Sequence, residues 1–521
     1  MTAQARVAAE DLLRIARAVY DDDAAAQTSI DELERRLREP LRLAIAGMVK
    51  AGKSTLMNAL LGEQIAPTDA GECTRVVTWY RYSTTPTVTL HPKQGDPRRM
   101  PIRRDRGRLV LNLDGTPAEE VEWIDVGWPL SGLRSMILID TPGIASLSES
   151  TSERTRLFLT PEDAPSSADA VVYLMRHLHA SDVKFLEAFR DTAAGAAQTI
   201  CAVAVLSRSD EIGSGRIDSL LSARKVARRY ELDGDLASLV LGVIPVAGLV
   251  AEGARTLRED EYTAFRELAA LERADREGLL MSADRFTRDS AATTLSAAER
   301  RHLLARFGLF GVRLATALIR GGIESSTELS EQLVQQSGLI ELQQFVRNQF
   351  HTRASTLKVR GVLLGLERLL RERPRSGTEE IRGGIERITA GAHALRELSL
   401  LASVRSDGLP LSAQDAAAAQ TIIGAQGTPT HLRLGIPESA DTGTRSERVD
   451  ALREYWRRLS ESPLTDRAAV GACRVVIRSL DEIASQLRPA ADVMLAGGPR
   501  DGTREHAPQQ GDEHEPAFGG E

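Results

Sequence analysis

Apolar side chains recur along this chain with different periods, and each period predicts a different kind of element. Over residues 1–40, Val7, Leu12, Ile15, Ala16, Val19 and Tyr20 share one helical face, and Ile30, Leu33 and Leu37 share a second. Two helices are predicted, parted at Asp21-Asp22-Asp23, which reads as a solvated turn, and Pro40 closes the pair. From 41 to about 255, short apolar runs alternate with helical stretches, as in a βαβ domain. The runs predict strands at 41–46, 76–82, 87–91, 135–139, 170–174, 200–206 and 240–245. Residues 93–108 are basic and loop-like, which predicts a solvated hairpin or loop on an added β region. Residues 255–330 are mixed and helical. The most apolar piece, 303–311, keeps helical spacing through Leu318 and reads as a helix packed on the preceding domain.

After Ser337-Gly338 the period stays helical. Leu339, Leu342, Val346, Phe350, Leu357 and Leu364 keep one face until Pro374, a rod of roughly 50 Å at about 1.5 Å per residue. A second run keeps Ile381, Ile385, Ile388, Ala392, Leu395 and Leu398. A third carries Val449, Leu452, Tyr455, Trp456 and Leu459. A fourth follows an N-cap at Thr465-Asp466 with Val470, Val476, Ile477, Leu480, Ile483 and Leu487. These stripes predict a bundle. The expected organisation is an α/β domain at 41–336, an extended all-α bundle at 337–489, N-terminal helices at 1–40 packing with that bundle, and a polar, disordered tail at 490–521.

The run 41–46 leads into Gly47-Met48-Val49-Lys50-Ala51-Gly52-Lys53-Ser54-Thr55 and then an apolar helical pattern. That is a G-x-x-x-x-G-K-[ST] phosphate loop in its strand–loop–helix context. Gly47 and Gly52 let the backbone curl so that N–H groups face phosphate oxygens. Lys53 reaches the β and γ phosphates, and the Ser54 hydroxyl is a Mg²⁺ ligand. Three further pieces follow in order. Thr74, in Glu72-Cys73-Thr74-Arg75, can ligate Mg²⁺ and sense the γ phosphate. Asp140-Thr141-Pro142-Gly143 ends a strand; its carboxylate would hold the metal shell and the Gly143 N–H would meet the γ phosphate.

Ser207-Arg208-Ser209-Asp210 follows the strand at 200–206 and departs from the Asn/Thr-Lys-x-Asp pattern at its first two positions. Asp210 keeps the carboxylate that accepts paired hydrogen bonds from guanine, which adenine cannot supply. Arg208 can lie along the base, and Ala247, within Val246-Ala247-Gly248, can offer a backbone N–H to the guanine O6. Ile144 stands where many small GTPases place a water-orienting Gln close behind the glycine. Lys50 is then a candidate to neutralise transition-state charge. His177-x-His179 supplies too few ligands for a zinc site.

Composition and charge narrow the classes. The formal net charge is −7 over 521 residues, so there is no general attraction to nucleic acid or anionic lipid. Cys73, Cys201 and Cys473 have neither disulfide nor zinc spacing, as expected of a reducing cytosol. No run of about 18 consecutive apolar residues is present, so any membrane role is expected to be peripheral. Two segments are candidates for lipid contact. One is the turn at 399–411, where Leu400, Leu401, Val404, Leu409 and Leu411 surround Ser406-Asp407-Gly408; they either insert into lipid or cap the bundle core. The other is Phe307 to Phe310.

Through Gly47 to Thr55, Thr74-Arg75, Asp140 to Gly143, Ser207 to Asp210 and the wide gap between Lys53 and Asp140, the chain resembles the bacterial dynamin-like branch of the dynamin superfamily. Ala66-Pro67-Thr68-Asp69-Ala70, Ser209 to Gly213, Gly215 to Asp218 and Arg306 to Gly311 make it similar to the isoniazid-inducible proteins of the IniC type, over about residues 1–490. The resemblance implies a dynamin-type GTPase domain followed by a neck and trunk bundle. It also implies Mg²⁺-dependent hydrolysis of GTP, linked to remodelling or maintenance of the cytoplasmic face of the plasma membrane under envelope stress. It implies pairing with a second copy or a paralogous dynamin-like partner through the nucleotide face. Two alternatives remain: an RNA- or ribosome-associated GTPase, for which no concentrated basic module is evident, and a GTP-switched protein scaffold.

Overall fold

The computed structural model describes residues 2–67, 75–105, 107–143, 167–194, 201–213, 215–232, 236, 238–406 and 411–487. A nine-stranded mixed sheet forms the centre, in the order β11-β10-β9-β1-β8-β2-β7-β3-β4. β1 (Leu41–Gly47), buried at all seven residues, runs parallel between β8 (Met136–Asp140) and β9 (Ala170–Met175). β10 (Ala202–Ser207) and β11 (Val243–Val246) continue the parallel half. On the other side β2 (Val77–Tyr82) lies antiparallel to β8. β7 (Val121–Trp128) pairs parallel with β2, and β3 (Thr87–Pro92) and β4 (Arg98–Met100) close the edge antiparallel. Such near-continuous apolar runs are what a parallel sheet covered on both faces requires.

β7 is a strand the apolar pattern did not announce. Glu122 and Asp125 interrupt its alternation, yet Val121, Ile124, Val126 and Trp128 are buried. Arg81 neutralises Asp125 at 3.0 Å from the adjacent strand, and the Trp128 Nε1–H donates to Glu63 at 3.0 Å. The basic stretch 93–108 contributes β4 and the hairpin of β5 (Arg103–Asp105), exposed throughout, and β6 (Arg108–Val110), whose Leu109 is buried in the core.

The helices are α1 (Thr2–Val19), α2 (Ala24–Arg38), α3 (Lys53–Leu61), α4 (Ala180–Ala194), α5 (Ser219–Leu232), α6 (Gly248–Arg255) and α7 (Glu259–Ala270). They continue with α8 (Arg273–Leu279), α9 (Ala283–Thr287), α10 (Ala297–Arg320), α11 (Ser326–Gln336), α12 (Leu339–Phe345) and α13 (Ala354–Glu372). The last six are α14 (Glu379–Gly391), α15 (His393–Ser406), α16 (Ala413–Ile422), α17 (Thr430–Leu434), α18 (Thr442–Glu461) and α19 (Arg467–Leu487).

Two of the three acids at 21–23 do more than solvate a turn. Asp23 caps α2 through the Ala25 and Ala26 N–H groups, and Asp23 and Asp22 hold Arg373 and Arg375, each at 2.6 Å. α1 and α2 share an apolar cluster with α13 and α14. Glycines permit the approach: a Cβ at Gly365 would stand 2.4 Å from Leu33, and one at Gly384 would stand 2.2 Å from Leu12.

The single rod expected from 339 to 373 is interrupted. A π-helical segment, Val346–His351, separates α12 from α13. The extra residue turns Gln349 and Arg353 onto the carbonyls that end α16: Gln349 donates to Ala425 at 2.8 Å and Arg353 to Gly424 at 2.8 Å. The run 381–398 is likewise two helices, α14 and α15, parted at Ala392 with ψ 94°.

Among the described residues, neither segment named for lipid contact presents its apolar side chains as a free surface. Leu401 and Val404 are buried in the core, whereas Asp407 to Pro410, and Leu409 with them, lie outside the described residues. Phe307 and Phe310 are buried too. Their helix, α10, is long and apolar enough to cross a membrane by composition, but half of that stretch packs inside the protein. The tail at 490–521 also lies outside the described residues.

Candidate functional site: a nucleotide cleft at the ends of the parallel strands

The loop between β1 and α3 is built by main-chain constraints. Gly47 has φ +145°, and a Cβ there would stand 2.2 Å from the Leu174 carbonyl oxygen on β9, so no larger residue fits. Gly52, at φ +95°, turns the chain into the N-terminus of α3, where unpaired N–H groups face the cleft. Lys50, itself at φ +62°, is exposed at the crest, with Val49 beside it.

Lys53 folds back over the loop. Its Nζ donates to the carbonyls of Gly47 at 3.1 Å and Met48 at 3.2 Å. Burial pushes its ammonium below the usual lysine range, and the nearby Asp140 carboxylate opposes that. The Ser54 hydroxyl donates to Asp140 Oδ2 at 3.1 Å, although 86 residues separate the two. Burial pushes Asp140 up to about 6, with Lys53 and Ser54 pulling it back. Asp140 Oδ1 is buried without a hydrogen-bond partner. A hydroxyl beside a carboxylate with one idle buried oxygen suits a hard cation that prefers oxygen ligands, so the donor set fits Mg²⁺. Among the described residues no group of three or more His, Cys, Asp or Glu is placed to hold a metal ion.

Thr141 fixes the loop after β8 by donating its hydroxyl to the Ile45 carbonyl at 2.9 Å. Gly143 then lies on the phosphate loop itself, since a Cβ there would stand 2.6 Å from the Val49 side chain. The end of β8, Asp140 and the loop between β1 and α3 are thus in direct contact. Thr74 and Ile144, named for the metal shell and for its missing glutamine, lie outside the described residues, as does Cys73. Cys201 and Cys473 are buried and form no disulfide among the described residues.

The base side is a cavity of about 130 Å³ lined by Thr55, Leu174, Ser207, Arg208, Asp210 and Leu249 among others; Ala51 and Gly52 border it. Ser207 is buried and donates to the Met175 carbonyl at 3.1 Å, so this serine secures the strand end. Arg208 takes a left-handed conformation, φ +51°, and its guanidinium donates to the Lys50 carbonyl at 3.3 Å and to Glu211 at 2.9 Å. It therefore ties the loop after β10 to the loop between β1 and α3. Asp210 is 7% exposed, and burial pushes its carboxyl up to about 6.

Ala247 is placed differently from the expectation. Its N–H donates to the Ser337 carbonyl at 2.9 Å, because the turn before α12 crosses the end of β11 there. Gly248 and Leu249, at the start of α6, border the cavity instead. The pattern reading also missed Gly308. It breaks α10 with φ +66° and ψ 171°, and a Cβ there would stand 3.5 Å from Asp210 Oδ2. The available signal was a glycine inside an apolar helical run, taken together with Gly311 as packing.

Residues 43–193 match the family model described as the dynamin family. The isoniazid-induced protein IniC of Mycobacterium tuberculosis (strain ATCC 25618 / H37Rv) is 39% identical over 458 residues, covering 88% of this chain and 92% of that protein. A bacterial dynamin-like protein of Nostoc punctiforme is 30% identical over 150 residues, 26% of this chain and 20% of that one. The isoniazid-induced protein IniA of the same mycobacterial strain is 34% identical over 145 residues, 26% of this chain and 22% of that one.

Proposed function

Since the chain belongs to the dynamin family, as a bacterial dynamin-like GTPase of the IniC type, we propose that it hydrolyses GTP to GDP and phosphate with Mg²⁺ and couples turnover to remodelling or maintenance of the cytoplasmic face of the plasma membrane. The observation that carries the chemistry is the convergence of Lys53, Ser54 and Asp140 at the phosphate loop, with Asp210 at the far end of the same cleft. In this reading Lys53 leaves its own loop carbonyls for the β and γ phosphates, and the N–H groups of Gly52 through Thr55 and of Gly143 surround them. Ser54, Asp140 and Thr74 hold the cation, which supplies charge neutralisation across the phosphates. Asp210 accepts from the guanine edge, and the Arg208 stem lies along the base. Lys50 neutralises transition-state charge.

Support for a lipid surface lies on the sheet edge. Arg98, Arg99, Arg103 and Arg104 are exposed there with Ile102, a basic and apolar patch on a chain of negative net charge. A second copy or a paralogous partner pairing across the nucleotide face would supply the water-positioning group that Ile144 cannot. Lys53→Ala tests the core of the reading. Nucleotide affinity should fall at least 100-fold with the fold intact by circular dichroism, and GTP turnover that survives the change would refute it.

A further inference from the structure

The helices at the two ends of the cleft are joined by a buried carboxylate. α3 begins at Lys53 and Ser54, and α6 begins at Gly248 and Leu249, which border the base cavity. The two helices meet at their starts, where a Cβ at Gly248 would stand 3.5 Å from the Thr55 side chain. One turn further along each helix come Asn58 and Glu252, and Asn58 Nδ2 donates to Glu252 Oε1 at 3.2 Å. Gln64 Nε2, from the turn after α3, donates to the same oxygen at 3.1 Å. Asn58 is 1% exposed and Glu252 4%.

The surroundings set the orientation of the Asn58 amide. The Ala66 N–H donates to Oδ1 at 2.7 Å, so the oxygen faces Ala66. Nδ2 then divides its two protons between the Ala66 carbonyl, at 3.0 Å, and Glu252. Burial pushes the Glu252 carboxyl above the usual range, and Gln64, Arg108, Asn58 and Arg306 oppose that. A buried carboxylate held by two neutral amides is a costly way to pack two helices, since apolar side chains of similar volume would cost less. What it supplies is direction. Hydrogen bonds fix both the separation and the rotation of α6 against α3.

We propose that Glu252 is a positioning residue for the nucleotide. Through Asn58 it holds the helix that borders the base against the helix that meets the phosphates, and so sets the span that one nucleotide must bridge. A ligand that engages both ends gains from this registry, whereas a ligand that engages the phosphate end alone does not. This role rests on the GTP reading above, although Glu252 does not itself line the base cavity.

Titration calorimetry of the full chain with GTP and with inorganic tripolyphosphate, each with Mg²⁺, tests it. Glu252→Leu breaks both amide contacts and should weaken GTP by roughly tenfold or more, while tripolyphosphate binds as it does to the unmodified chain. Glu252→Gln keeps an acceptor oxygen for Asn58 and Gln64 and should restore most of the GTP affinity. Asn58→Ala breaks the same link from α3, and added to Glu252→Leu it should cost little more than either change alone. Unchanged GTP affinity in Glu252→Leu overturns the positioning role. An equal loss for tripolyphosphate overturns it too, because Glu252 would then support only the phosphate end. If Glu252→Leu fails to fold, Asn58→Ala must weaken GTP and spare tripolyphosphate, and Glu252→Gln must spare both; any other result overturns the role. An unmodified chain that does not bind GTP would refute the GTP reading itself, whereas the outcomes above leave that reading standing.

Discussion

The main chain of Gly308 lies against the carboxylate of Asp210, so that a Cβ at 308 would stand 3.5 Å from Oδ2. With φ +66° and ψ 171°, Gly308 occupies a backbone region essentially reserved for glycine. α10 bends there and wraps the base end of the cleft, and Arg313 anchors the bend by donating to the Gly215 carbonyl at 2.6 Å. Gly308→Ala therefore strains the bend by about 1–3 kcal/mol; the added Cβ fits at ordinary contact distance from Asp210, so Asp210 shifts as the strained main chain relaxes, while Lys53 and Ser54 are left alone. The KM for GTP should rise roughly tenfold, equivalent to about 1.4 kcal/mol, and the preference for GTP over ATP should narrow. Steady-state hydrolysis of both nucleotides checks this; an unchanged GTP preference would mean the contact is only packing.

Asp140 makes the nucleotide-free protein sensitive to pH. Burial raises its folded-state pKa from 3.8 to about 6, so the folded form binds this proton more tightly than the unfolded chain. Its favourable contribution to stability is complete below 3.8 and is lost as pH rises through about 6. Asp140→Asn should therefore make the nucleotide-free protein more heat-stable than the unmodified chain near pH 8, with the difference fading in acid. The same change should cost roughly 10–100-fold in apparent Mg²⁺ affinity. Thermal melts across pH and Mg²⁺ titrations of turnover read the two effects separately. A nucleotide-free Asp140→Asn protein that melts lower near pH 8 would contradict the account.

Which parts of this molecule were legible in the sequence follows from how local their causes are. β1 and its loop announce themselves because the apolar run, the two glycines and the helix lie within a few turns of chain. Ser54 and Asp140 meet across 86 residues, yet each carries its own motif, so their pairing was foreseeable. β7 was hidden because Glu122 and Asp125 interrupt its pattern, and Asp125 finds its counter-charge in Arg81 on another strand. The π-helical segment at 346–351 depends on carbonyls near residue 424, which a periodicity reading cannot see. The same holds for Gly308 and for Ser337, whose carbonyl takes the Ala247 N–H. Both are consequences of segments folding back onto the cleft.

Arg36 and Asp169 join the N-terminal helices to the sheet. Arg36 donates to Asp169 Oδ1 through Nε at 2.9 Å and Nη2 at 2.7 Å, and Asp169 Oδ2 accepts the Arg42 N–H at 2.9 Å. Both side chains are almost fully buried, at 8% and 0% exposure. Removing the guanidinium strands a buried carboxylate, so Arg36→Met should destabilise by about 3–5 kcal/mol. Asp169→Asn on top of it removes the stranded charge and should recover part of that loss. Urea melts of the single and double variants measure both. A double variant less stable than Arg36→Met would show that the Asp169 charge serves something other than this pair.

The membrane prediction rests on β4, at the edge of the central sheet, and on β5 of the hairpin that follows it. Arg98 donates to Thr116, and Arg104 lies over the Trp128 ring and near Glu63. Arg99 and Arg103 have no side-chain partner among the described residues, and Ile102 between them is 40% exposed. Two uncompensated guanidinium groups flanking an exposed isoleucine match an anionic, partly apolar surface. Basic side chains near such a surface contribute about 1 kcal/mol each. Reversing two of them should therefore remove well over tenfold of affinity. Arg99→Glu with Arg103→Glu should lose co-sedimentation with phosphatidylglycerol vesicles but keep basal GTP hydrolysis, because neither residue borders the cleft. Raising the salt should weaken the unmodified protein in the same direction, since surface attraction is screened over about 10 Å at 0.1 M. Phosphatidylcholine vesicles should recruit neither protein. If the double variant sediments like the unmodified chain at low salt, the patch is not the lipid contact. The membrane reading would then need another surface, because Leu401, Val404, Phe307 and Phe310 are all buried.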